Sequence, residues 1–377
     1  MSLLGLRMKL RIGEKPRPAP AEVMENFLSA EVTPGEQGPI GFQLTFNVGR
    51  YGTADLPDYK LLRSEELKPF NRIILTVSFS VEEEVLVDGY ITDQQLNPGN
   101  EPGTSTLTLT GEDVSVLMDL VQGEAQAYPD RKSYDEIVRE VLRPYDELIQ
   151  ESLWDIKEAR EEVPSNRNQS TPHKAVNYTD RMYVQELAQR NAYVFYVTPG
   201  PKVGSNGAYW GPPKREKEPK PLSVNMGPST NVEYIDFRFD AMAPAKVIFT
   251  DERGKAETLQ DLSAARPPLA KNPTELRRMV FLGQTGGLKP SQVKARAQAL
   301  MDKSLDDAVT ATGELDAVRY GGLLKPRRIV ELRGAGHTYN GTYYVKSVSH
   351  SIRKGEYKQR FILTREGTGS LKRRVQS

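Results

Sequence analysis

Two of the three histidines, His337 and His350, bracket the stretch "HTYNGTYYVKSVSH". Imidazoles can ligate a metal or shuttle a proton near neutral pH, so this run is the natural first place to look for chemistry. A metal site needs three or four ligands, however, and neither "HTYN" nor "VSHS" contains a carboxylate. His173 lies in a remote segment beside Pro172. The absence of cysteine removes thiolate ligands, cysteine nucleophiles and disulfides together. Asn340-Gly341 is a strong signal for a two-residue type I′ hairpin, which demands positive φ at both central positions. His337 is then expected in the loop before the turn and His350 well along the outgoing strand, both as hairpin residues.

Other groups suggest chemistry less strongly. "GQTGGLKPS" from Gly283 has the glycines of a phosphate loop but lacks the Gly-Lys-Ser/Thr end, and Pro290 separates Lys289 from Ser291. A loop followed by a helix cap is the expectation there. Glu82-Glu83-Glu84 and Asp306-Asp307 could supply the carboxylate pair of a glycoside hydrolase, although such runs are ordinarily solvated turns or strand ends. No Gly-x-Ser-x-Gly elbow is present. The lysine-rich loop at 214–220 is diluted by Glu216 and Glu218, and the tail "SLKRRVQS" has no accompanying aromatic ladder. We therefore assign no catalytic, cofactor-binding or metal residue and expect no cofactor and no enzymatic activity.

Composition is consistent with that expectation. The chain has 377 residues, enough for two or three domains. Lys and Arg number 51 against 50 Asp and Glu, a net charge of +1, so nothing drives the whole chain toward nucleic acid. Charges at Arg7, Lys9 and Arg11 interrupt the apolar start, which argues against a signal peptide. No apolar run is long enough for a membrane helix, and no membrane insertion is expected.

The elements that must carry these residues are mostly strands. From Arg72, Ile73, Leu75, Val77, Phe79 and Val81 alternate with Ile74, Thr76, Ser78 and Ser80, the period of a half-buried strand. "TSTLTLTGED" alternates in the same way. Ser133 to Glu136 has capping-box spacing, and Tyr134, Ile137, Val138, Val141 and Leu142 follow at helical intervals until Pro144. "TDRMYVQELAQRNAYVFYV" reads as helix, left-handed stop at Asn191, then strand. Prolines 16, 18 and 20 predict an irregular arm at 1–26, and Pro, Gly and Lys an exposed loop at 199–222 holding a short strand near Tyr209 and Trp210. A further helix is expected near 291–303.

An internal repeat organises the whole. "LKPFNRIILTV" from Leu67 matches "LKPRRIVELRG" from Leu324. "VDGYITDQQ" corresponds to "YNGTYYVKSV", aligning Gly89 with Gly341, and each copy ends in a Leu-Thr strand. The fold class that follows is α+β, mainly β: two related antiparallel β domains, expected to close as barrels, with an α/β segment between them. The boundaries are an arm at 1–26, a first barrel at 27–125, a middle domain at 126–234, a second barrel at 235–366 and a tail at 367–377.

These elements in this order resemble the phage late control protein D family, the baseplate hub of contractile tails and the hub-like part of VgrG spike proteins. The resemblance rests on "ILTVSF", "VLVDGYITDQQ" and "STLTLTGED", on "TDRMYVQELAQRNAYVFYV", and on "LLKPRRIVELRGAGHTYNGTYYVKSVSHSIRKGEYKQRFILTRE", which includes Val348 and His350. It spans roughly residues 27–366. Tyr183-Val184 and Asn191-Ala192 depart from the family's usual Phe-Leu and Gly. The resemblance implies tube-like barrels and a homotrimer with pseudo-sixfold symmetry that joins a hexameric inner tube protein to a trimeric spike. It implies contacts with baseplate wedge components, and assembly in the cytoplasm into a phage virion or phage-like particle. Because the sequence stops soon after the second barrel, the spike is expected as a separate polypeptide. The alternative is a cell-envelope hydrolase or carbohydrate-binding component of such a particle.

Overall fold

The computed structural model describes residues 2–3, 6–49, 59–79, 82–101, 103–122, 125–128, 133–159, 173–250, 256–259, 267–283 and 290–371. The first β unit contains β1 (Leu6–Gly13), β2 (Phe27–Thr33), β3 (Gly41–Asn47), β4 (Arg72–Phe79), β5 (Glu82–Asn97) and β6 (Thr106–Asp113). Its strands lie in the order β1-β4-β5-β6-β3-β2, all antiparallel. Leu107 and Leu109 of β6 point into the core with Leu44, Phe46, Ile73, Leu75 and Val77. Each such side chain contributes about 1.5–3 kcal/mol on burial.

Two expectations fail here for identifiable reasons. The arm at 1–26 is not irregular: β1 pairs with β4 along eight residues, and Arg17-Pro18 folds back onto it. Its alternating Met8, Leu10 and Ile12 are all buried, an apolar face that the later prolines do not interrupt. Strand β4 is buried on both faces rather than one. Ile74 lies under Gly204, and Arg72 donates to the Gly204 carbonyl, so a loop of the middle segment covers the face expected to meet water.

That middle segment packs α1 (Tyr134–Leu142) and α2 (Asp180–Arg190) on a small sheet of β7 (Val194–Pro199) and β8 (Asn206–Gly211). Ser133 starts α1 without a side-chain cap bond, whereas the Thr179 hydroxyl caps α2 by accepting from the Met182 N–H. The left-handed residue after α2 is Ala192 (φ 58°), not Asn191. Asn191 remains near helical geometry because its buried amide donates to the Leu187 carbonyl. The 199–222 loop is also more ordered than expected. Strand β8 is wholly buried, and β9 (Glu216–Lys217) and β10 (Leu222–Ser223) lie parallel against the second β unit.

The second unit comprises β11 (Tyr234–Phe239), then an insertion, then β14 (Val309–Asp316), β15 (Arg328–Arg333), β16 (Gly341–Arg353) and β17 (Glu356–Arg365). The insertion includes β12 (Ala245–Thr250), the parallel β13 (Arg278–Phe281) and helix α3 (Pro290–Asp306). Val293, Ala297, Met301 and Leu305 recur every fourth residue on α3 and close a separate small core with Val247 and Phe249.

The repeat is now visible as topology. The order β4-β5-β6-β3-β2 in the first unit matches β15-β16-β17-β14-β11 in the second. Both "Leu-Lys-Pro" motifs end in a left-handed residue, Phe70 (φ 63°) and Arg327 (φ 61°). The Phe70 N–H donates to the Ile91 carbonyl at 2.7 Å and the Arg327 N–H to the Val345 carbonyl at 2.8 Å. One residue past each acceptor the ladder bulges, at Thr92 and at Lys346. These anchors align Ile91 with Val345, so Gly89 corresponds to Tyr343 rather than to Gly341.

The units do not close into separate barrels. Strand β2 lies on the second half of β16, pairing Val32 with His350, Glu31 with Ser351, Ala30 with Ile352 and Ser29 with Arg353. Among the described residues, one sheet of 15 strands therefore runs through both units, with β11 at its end. Strand β15 covers only the first half of β16, which leaves the edge that β2 occupies.

Candidate functional site

The histidine run that opens the sequence question is divided by β16. Asn340 has φ −63° and ψ 151°, so it does not form a type I′ turn with Gly341. Instead residues 336–339 make one helical turn that carries His337 on the surface. Buried Arg365 holds that turn, donating to the carbonyls of Thr338 (2.7 Å) and Asn340 (3.1 Å) with its guanidinium over the Tyr343 ring. Those bonds satisfy the last carbonyls of the turn, which removes the need for a two-residue connection. From Gly341 to His350 the strand alone spans roughly 30 Å. His173 lies on a two-residue strand of the middle segment, paired with Ala127.

His350 sits at the junction of the two units and is 5% exposed. Its Nδ1 lies 2.8 Å from the Tyr357 hydroxyl, and Tyr357 and Ile352 fill the core of the first unit. Burial lowers the imidazole to about 4, so it is neutral at physiological pH. Beside it, Gln359 is fully buried and clamps Leu324, accepting from its N–H and donating to its carbonyl, both at 2.9 Å. The repeat's leucine is thereby tied to the junction.

A cleft of about 900 Å³ opens next to His350, between both β units and the middle segment. Its charges are matched within the chain. Lys325 meets Glu84 at 2.6 Å, and Arg328 approaches Glu218 at 3.5 Å and Glu216 at 3.8 Å. Burial raises the Glu218 carboxyl while Arg328 and Lys325 pull it down. Arg327 stacks over Tyr196 at 3.8 Å and donates to the Gly35 carbonyl at 2.7 Å, so it ties all three parts together. Across the other face, Arg72 grips Asp88 with two bonds of 2.7 Å, and Asn206 donates to the same carboxylate at 3.1 Å.

The acidic runs are likewise divided. Alternation along β5 sends Glu83 to Thr76, Arg11 and Lys9, which hold its carboxyl below the ordinary range, and Glu84 to Lys325. Asp306 faces Arg215 and Asp307 faces Lys346. In the 214–220 loop, Lys214 pairs with Asp155 and lies over Tyr209, and Lys220 donates to the Gly321 carbonyl. Residues 284–289 of the glycine-rich stretch and 372–377 of the basic tail lie outside the described residues. Among the described residues, no group of three or more His, Cys, Asp or Glu side chains could hold a metal ion. Chemically, the site is a set of saturated contacts that fix three packed bodies against one another. Sequence reasoning passed over Arg327, Gln359 and Arg72, which do the fixing, because their partners lie in other segments.

No protein-family model and no curated protein matches the sequence. Solved structures do. The 43 kDa tail protein of prophage MuSo2 from Shewanella oneidensis superposes with a TM-score of 0.64 at 12% identity, over 96% of this chain and 98% of that one. A tail protein from Neisseria meningitidis gives 0.63 at 11% identity, over 97% and 98%. A chain of the half-lidded Francisella PdpA-VgrG complex gives 0.53 at 10% identity, over all of this chain and 60% of that one. The chain thus has a phage tail-protein fold, shared with a component of a VgrG complex, in line with the resemblance read from its motifs.

Proposed function

We propose that this protein is a structural baseplate hub of a contractile phage tail or phage-like injection machine. Three copies would each contribute two β units, giving a ring of six similar units at one end and threefold symmetry at the other. Such a ring can adapt a hexameric inner tube to a trimeric spike, with wedge components around it. The observation that carries this reading is the duplicated five-strand unit inside one chain, because it lets a trimer present six nearly equivalent surfaces. The saturated contacts at the junction suit a mechanical part, and the carboxylates a hydrolase would need are engaged by cations at Glu83, Glu84, Asp306 and Asp307.

The test is native mass together with end-on images, alone and with the tube and spike proteins of the same particle. Three copies with six lobes in end view, binding both partners, are expected. A monomer in every mixture, or an end view without six lobes, refutes the hub. Loss of a measurable cell-wall hydrolysis on changing a single Asp or Glu would establish the alternative.

A further inference from the structure

Among the contacts that fix the three bodies, two donors on the wall of the cleft beside His350 keep spare capacity. The cations on that wall, among the described residues, are Lys214, Lys325, Arg327 and Arg328. Lys214 meets Asp155 at 2.9 Å, and Lys325 and Arg328 reach Glu84 and Glu218. Arg327 has no carboxylate bonded to it among the described residues. A guanidinium has five N–H donors. This one lies over the Tyr196 ring and gives a single bond, to the Gly35 carbonyl. Burial pulls it below its usual range, and Tyr196, Tyr344, Asp113 and Glu36 offset that only in part. A cation sheltered from water and short of an anion is costly to maintain.

The second donor follows from the tautomer of His350. The Gln359 side-chain oxygen accepts from the Leu324 N–H, which fixes its amide nitrogen as the group that faces His350 Nδ1 at 3.5 Å. That amide and the Tyr357 hydroxyl converge on Nδ1, so the ring hydrogen sits on Nε2. Nε2 has no partner among the described residues. Neither it nor the spare Arg327 nitrogens are sealed from solvent, and both residues line the cleft.

Their spacing selects a ligand. His350 pairs with Val32, the Val348 N–H reaches the Pro34 carbonyl, and Arg327 holds Gly35. The two donors are therefore anchored about three strand residues, or roughly 10 Å, apart. A lone small anion does not span that distance. An extended peptide does, with a carboxylate at one end and a backbone carbonyl three residues back. Glu83, Glu84 and Glu216 on the same wall disfavour a polyanion. We propose that the cleft binds an extended peptide carrying a single carboxylate, which pairs with Arg327 while an upstream carbonyl accepts from the His350 Nε2–H. Arginine suits the first contact because its fork binds a carboxylate through two parallel bonds. The site lies within one chain, so it does not rest on the ring of three copies.

The test uses full-length protein with isotope-labelled histidine, read by proton–nitrogen magnetic resonance. The chain has only three histidines, and His350→Leu identifies the signal of interest. Without ligand, His350 should show the Nε2–H tautomer, and the Nδ1–H form would overturn the proposal. The probe is acetyl-tetra-alanine with a free carboxylate, titrated to about 10 mM, the range of so small a contact. We expect a saturable shift at His350, absent at His173 and His337, and at least about tenfold weaker binding of the C-terminal amide. No shift, or equal binding of acid and amide, overturns the proposal, as does acetate alone acting as well as the peptide. Acetyl-Ala-Ala-Ala-Asp-amide separates the two sources of a carboxylate. Binding as tight as that of tetra-alanine supports an acidic side chain, and weaker binding supports a chain terminus. Arg327→Lys keeps the charge but loses the fork, so it should weaken binding about tenfold with the unligated His350 signal unchanged. Unaltered affinity would overturn the role of Arg327. If lysine disturbs the unligated signal, the comparison of acid with amide on the native chain decides.

Discussion

Replacing His350 by Leu separates two roles of the junction histidine. Leucine is the residue found at the equivalent position in the first unit, Leu96. Removing the imidazole leaves the Tyr357 hydroxyl without its 2.8 Å partner, which costs about 1–3 kcal/mol at neutral pH. The pH dependence runs the other way. Folding lowers this histidine from 6.5 to about 4 by burial. As pH falls below about 6.5, the unfolded chain takes up a proton that the folded chain refuses, and stability is lost until about pH 4. At about 1.4 kcal/mol per pH unit, the native protein loses about 2–3 kcal/mol from this residue between pH 6.5 and pH 4.5. The His350→Leu variant loses none of it, while carboxylate contributions are common to both and cancel. Urea unfolding followed by far-ultraviolet circular dichroism at half-unit steps measures the gap. The variant should begin less stable and draw level with or overtake the native chain near pH 4.5. A gap that stays constant across this range would refute a buried, neutral His350.

Five further substitutions probe other parts of the frame. Asp88→Ala should destabilise by about 3–5 kcal/mol, because it strands the partly buried Arg72 and releases Asn206, as denaturant unfolding would register. A Cβ on Gly111 would sit 2.0 Å from the Tyr90 carbonyl and 2.4 Å from the Phe42 ring, so Gly111→Ala should cost about 2–3 kcal/mol. Gly41→Ala, with nothing within 4 Å of the added carbon, should change melting by less than about 0.5 kcal/mol. Phe70→Gly should be neutral or stabilising by up to about 1 kcal/mol, since a left-handed non-glycine residue costs about 1–2 kcal/mol and Phe70 is 58% exposed. Arg327→Gly relieves the same backbone but should lose stability, because the contacts with Tyr196 and Gly35 go with it. Equal effects of these two in thermal melts would show that the guanidinium contributes nothing.

Local signals in the sequence carried what depends on neighbours along the chain. The alternation of β6, the helical intervals of Tyr134 to Leu142 in α1 and the helix-then-strand run of α2 and β7 are each set within a few residues. The "Leu-Lys-Pro" repeat was legible because the left-handed step after proline constrains the backbone the same way twice. What escaped was decided at long range. Nothing near Val32 announces His350, and nothing near Ile74 announces Gly204. The Asn340-Gly341 signal was overridden by Arg365, which supplies bonds that a local turn rule does not count. The glycine alignment slipped by two residues because it matched letters, whereas the register is set by backbone bonds from Phe70 to Ile91 and from Arg327 to Val345. In the candidate site, individual histidines and acids were easy to see. Their neutralisation by Tyr357, Thr76, Lys325, Arg215 and Lys346 required the fold.

The β2–β16 junction also constrains the order in which the molecule can be finished. Thr33 and Arg353 are 320 positions apart, so at about 5–20 residues per second a ribosome needs roughly 15–65 s between them. During that interval the first unit has no Ile352 or Tyr357 to complete its core, and the outer edge of β2 stands open. Nascent chains on a crowded message thus share an unsaturated strand edge until the second unit is nearly complete. The half of the fold that is made first is completed last, and a folding helper that shields residues 27–33 would act in that window.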